Sequence, residues 1–119
     1  MEQELLKGIH PFYSMSLHRA ARVALHEGKI TQEQADTING VIRSPLRKSE
    51  DGRTCDILEE ARQHTAVIAA HDPNLSAEER NQAFNFSFDW SSIWTWIKDH
   101  LPQILQCIAS LLSIFILLV

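Results

Sequence analysis

Hydrophobic and polar positions split the chain into two unlike parts, amphipathic before residue 100 and almost without polarity after it. Residues 2–9 read as two helical turns with Leu5, Leu6 and Ile9 on one side, ended by Pro11. Phe12 and Tyr13 then stand ready to plug the next packing layer. Over residues 16–27, Leu17, Ala20, Ala21 and Ala24 recur at i, i+3, i+4 and i+7, which predicts a helix. Gly28 is placed to stop it. Thr31-Gln-Glu-Gln34 is a capping box with Ile30 at the staple position, so a second helix starts there. Ala35, Ile38 and Ile42 form its apolar stripe. The short link predicts that the two lie together as a hairpin.

Residues 43–53 are a polar connection punctuated by Pro45 and Gly52. A third helix is expected over residues 54–70, with Ile57, Leu58, Ala61, Thr65 and Ile68 inward and His71-Asp72-Pro73 as its stop. Ser76-Ala-Glu-Glu79 is a second capping box and opens a short helix that fades near Phe84. The period then changes to two. Phe84, Phe86, Phe88 and Trp90 alternate with Asn85, Ser87 and Asp89, a spacing that only an extended chain gathers on one face. Asp89 can cap a further helix, which Pro102 must kink between Lys98 and Leu101.

Residues 101–119 carry no charge. As one helix they would reach about 28 Å, close to the hydrocarbon thickness of a bilayer. Phe84, Phe86, Phe88, Trp90, Trp94, Trp96 and Lys98 lie just upstream, where aromatic rings would occupy a water–lipid interface. The polar members of the tail, Gln103, Gln106, Ser110 and Ser113, are spaced 3, 4 and 3 apart. On a helix that is one stripe, and in lipid it would face another helix, since an unbonded amide there is costly.

All 11 Lys/Arg and all 15 Asp/Glu precede His100, so the net charge of −4 belongs to the upstream part. That mild acidity argues against a nucleic-acid binder, which needs a basic face. Arg43, Arg47 and Lys48 form a small basic group, a candidate for phosphate or headgroup contact, diluted by Glu50 and Asp51. Cys55 and Cys107 sit in such different contexts that a disulfide is not expected. Six histidines offer no i, i+4 pair and no Cys-x-x-Cys accompanies them, so no metal is expected. Glu60 and His64 share a helix face, but a solvated pair is the simpler account. The N-terminus lacks the basic and apolar run of a secretory signal, which leaves the sequons at Asn74 and Asn85 without a compartment to be used in.

These readings predict an all-α protein: a helical headpiece over residues 1–83, an aromatic interfacial segment over 84–100 and a kinked C-terminal transmembrane helix over 101–119. The function expected is non-enzymatic and without cofactor. It is that of a tail-anchored structural or adaptor protein, with its N-terminal part on the cytoplasmic or virion-shell side. It would assemble as a homo-oligomer through its tail and tether a protein partner, such as a viral or phage shell, to a lipid bilayer. Two alternatives stand beside it. One is a holin- or toxin-like pore former whose Gln/Ser stripe lines a lumen. The other is a soluble helical oligomer that buries the apolar tail between subunits.

Overall fold

The computed structural model describes residues 11–85 and 88–119. The helix expected over residues 2–9, and Phe86 of the aromatic alternation, lie outside the described residues. The first helix, α1 (Pro11–His26), starts earlier than its apolar stripe requires, because proline suits a first helical turn. Leu17, Ala20, Ala21 and Ala24 are all buried. Gly28 ends α1 at φ +74°, a conformation that favours glycine. There the Lys29 amide donates to the Ala24 carbonyl (2.8 Å) and the Gly28 amide to that of Leu25 (3.1 Å). This pair of bonds is a Schellman closure and satisfies two orphan carbonyls.

Helix α2 (Gln32–Arg43) begins with the expected capping box. The Gln34 amide donates to Thr31 Oγ1, and the Thr31 amide donates to Gln34 Oε1. It buries Ala35, Ile38 and Val41, with Ile42 half-buried. Helix α3 (Ile57–Ala70) is capped by Asp56, which accepts from the Glu59 amide, and buries Ile57, Leu58, Ala61 and Thr65. The Ser76 box opens the short α4 (Ala77–Gln82) as expected. A 3-10 turn (Trp90–Ile93), α5 (Trp94–Asp99) and α6 (Leu101–Leu112) follow. The chain breaks at His100 (φ −106°, ψ 11°), and Pro102 stands in the first turn of α6, where its missing amide hydrogen is no loss.

Two expectations are corrected here. The fold is not all-α: the polar connection and the tail together build a three-stranded sheet of order β2-β1-β3. Its strands are β1 (Leu46–Lys48), β2 (Thr54–Asp56) and β3 (Leu117–Leu118). β1 pairs antiparallel with both neighbours, in the registers Arg47↔Cys55 and Arg47↔Leu118. Nor is there a transmembrane tail helix. Among the described residues no helix is long and apolar enough to cross a membrane, so no C-terminal anchor and no membrane location is shown. α6 has twelve residues, about 18 Å at 1.5 Å per residue, against roughly 30 Å of hydrocarbon.

The physical reason is local. Helix α6 packs on α3 and buries Leu101, Ile104 and Ile108 in the same apolar cluster as Leu17, Ile38 and Leu58. It ends at Leu112, and the Ile114 and Phe115 amides both donate back to the Leu111 carbonyl. Ile114, Phe115, Ile116 and Val119 are residues that favour extended chain, and β1 offers an open edge to pair with.

Candidate functional site

The sheet is built on a tightly fixed hairpin. The Ser49 amide donates to the Arg53 carbonyl at 2.8 Å, and the Gly52 amide, at φ +90°, returns to the Ser49 carbonyl at 3.0 Å. Asp51 accepts from the Ser49 hydroxyl, the Arg53 amide (3.3 Å) and Arg53 Nε (3.2 Å). These bonds, the Ser49 hydroxyl first, hold the Asp51 carboxyl below its ordinary range. The hairpin joins α3 directly, because the Ile57 amide donates to the Pro45 carbonyl at 2.9 Å. Its Arg53 guanidinium lies 5.5 Å from the Phe115 ring centroid. Phe115, half-buried against the core, therefore fixes where the tail leaves α6.

Beyond Phe115 the chain carries apolar surface outward. Leu117 is 46% exposed, Leu118 65% and Val119 65%; Ile114 and Ile116 are more than half exposed. Leu46 on β1 is 46% exposed as well. Extending the Arg47↔Leu118 register by one residue sets Val119 opposite Leu46, so these two and Leu117 share one face of the sheet. β3 is the outer strand on this side, and its far edge has no partner among the described residues. Contiguous exposed apolar surface of this kind marks sites of protein association. The signal available in sequence was the run of branched and aromatic residues at 114–116, followed by Val119, with no polar member.

The described residues among those expected at a membrane interface differ in exposure. Phe88 and Trp90 are buried, Trp90 lying edge-on to Tyr13 (5.2 Å) and Phe88 (4.9 Å). Trp94 is half-buried beneath the Arg19 guanidinium at 4.2 Å, and Phe84 is exposed. Trp96 donates from Nε1 to Asp72 at 2.5 Å. Lys98 reaches Glu27 at 2.9 Å, tying α5 to the end of α1. Gln103, Gln106, Ser110 and Ser113 do share one face of α6, and all four are exposed, opposite the buried Leu101, Ile104 and Ile108. Of the basic group, Arg43 and Lys48 are exposed. Arg47 is half-buried, donates to the Leu46 carbonyl at 3.3 Å, and is pushed below its ordinary pKa by burial.

Chemistry-bearing groups elsewhere are engaged in holding the fold. His100 stacks on Trp96 (4.1 Å between centroids) and donates from Nδ1 to the Trp96 carbonyl at 2.8 Å. Its Nε2 stands 3.7 Å from Asp72 Oδ2. The Trp96 indole bond, then the Asn74 amide, hold the Asp72 carboxyl below its ordinary range, which suits an acceptor and not a proton donor. The buried Tyr13 hydroxyl donates to Thr65 Oγ1 at 2.8 Å, and Thr65 in turn donates to the Ala61 carbonyl at 2.7 Å. Burial pushes the Tyr13 phenol upward, so it stays neutral. Cys55 and Cys107 are free thiols, both raised by burial, which suppresses the reactive thiolate. Among the described residues no group of three or more His, Cys, Asp or Glu side chains is placed to hold a metal ion.

No protein-family model, curated protein or solved structure matches this chain.

Proposed function

We propose that the protein is a non-catalytic, self-associating structural module whose assembly surface is the apolar C-terminal segment, residues 114–119. The observation that carries this reading is the outward display of Ile114, Ile116, Leu117, Leu118 and Val119 in the segment that contains the outer strand β3, which pairs with the β1–β2 hairpin. Water contact with five large apolar side chains is unfavourable, at about 25 cal/mol for each Å² that burial would remove. A second copy presents the same surface and can cover it. The engaged state of Asp72, His100 and Tyr13, and the burial that raises both thiols, support the non-catalytic part of the reading.

Sedimentation equilibrium of the whole chain beside a chain lacking residues 114–119 tests it. The intact protein should associate at tens of micromolar. The shortened one should remain monomeric with an unchanged far-ultraviolet spectrum, since the buried contacts of α6 remain. An intact chain that is monomeric at about 100 μM would refute the reading, where weak specific pairs still form. So would flotation of the intact chain with lipid vesicles while it stays monomeric.

A further inference from the structure

We infer that two copies join edge to edge through β3, antiparallel about a two-fold axis at Leu117, making one continuous six-stranded sheet of order β2-β1-β3-β3-β1-β2. This rests on the reading that residues 114–119 are the assembly surface, and adds the partner's geometry.

The first support is the contrast between the two edges of the sheet. Exposed strand edges are normally protected by charge, proline or a bulge. The β2 edge is protected: Asp56 lies on it, and Asp51 and Arg53 lead into it. The β3 edge has none of these, for residues 103–119 contain neither a charge nor a proline. One open edge and one guarded edge make a closed pair and no longer array.

The second support is charge. Residues 115–119 carry no charged side chain, so the strand can meet its own copy without like charges directly opposite one another, whereas a charged partner strand would leave its charges unpaired there. This complementarity favours a second copy over a charged partner. The exposed Lys48 on the neighbouring strand lies beside the joint, so the apolar strip has a charged border there.

The third is geometric. A two-fold axis perpendicular to a sheet leaves every side chain on its own face, and faces alternate along a strand. Residues that face each other across the axis must then have the same parity. The axis therefore passes through a residue opposite its own copy, never midway between two. Extended chain begins after the turn at Phe115, so Leu117 is the centre that uses it best. Ile116 then faces the partner's Leu118, and Val119 faces the partner's Phe115.

Charge exchange at position 117 tests this on the whole chain. Leu117→Lys alone and Leu117→Glu alone should each weaken the dimer at least tenfold, because like charges directly opposite repel. An equimolar mixture of the two should restore a heterodimer. Independently, single cysteines at 116, 117 and 118, in a Cys55→Ser, Cys107→Ser background, should cross-link under mild oxidation with 117 several-fold above its neighbours. Equal yields at the three positions, or no rescue on mixing, would overturn the strand pairing. If deletion of residues 114–119 still abolished association, the assembly surface would stand and only this geometry would fall. If deletion changed nothing, both would fall.

Discussion

Single side chains settle which parts of the molecule are scaffold. Trp96 and Asp72 show this best, since one indole hydrogen at 2.5 Å joins the loop after α3 to α5. The Asp72 carboxyl is depressed by that bond, so its folded pKa lies below the unfolded value of about 3.9. Its contribution is then present above about pH 4 and is lost as pH falls through the folded value. Trp96→Phe should lower the urea midpoint at pH 7, and the gap to the parent should narrow below about pH 4. Tyr13→Phe removes a buried bond to Thr65 while Thr65 keeps its bond to Ala61. It should cost about 1 kcal/mol in urea denaturation and leave the oligomeric state unchanged. Neither partnership was legible in sequence. Trp96 and Asp72 are 24 positions apart, and Tyr13 and Thr65 are 52, and nothing in local pattern links such pairs.

Elements show how far the pattern of the chain reaches. Both capping boxes form, at Thr31 and at Ser76, because their bonds lie within four residues and need no tertiary help. Thr31→Ala should therefore cost about 1 kcal/mol, read as a lower midpoint with an unchanged slope. The apolar stripe of α1 was legible for the same reason, since its spacing alone selects the buried face. Strands β1 and β2 were not: three residues each, carrying Arg47, Lys48 and Asp56, they show no alternation strong enough to read. Of the aromatic alternation, Phe84 is exposed while Phe88 and Trp90 are buried. The tail was misread because length and lack of charge describe a spanning helix and a core helix plus strand equally well. The two differ in which face of α6 is packed. Ile104→Ala should cost 2–5 kcal/mol, whereas Gln106→Ala should change stability by less than about 0.5 kcal/mol. A helix held only by lipid would show no such contrast in detergent-free solution.

At the scale of the whole molecule, the radius of gyration of 13.9 Å is close to the roughly 14 Å expected of a folded chain this long. A free-standing tail helix would enlarge it; instead α6 and β3 are folded against the rest. The open strand edge gathers several of the apolar side chains that the fold leaves exposed, and the six-residue deletion described above asks whether a second copy closes it. The same sheet also sets an order of events. The β1–β2 hairpin closes over five intervening residues, 49–53, but β3 must return to β1 from about 70 residues downstream, a far larger loop to close during folding. For that interval β1 is a bare edge, and it is the edge that carries Arg47 and Lys48. Their positive charges keep neighbouring nascent chains from docking in the place of β3, so the delay in finishing the sheet need not become a route to clumping.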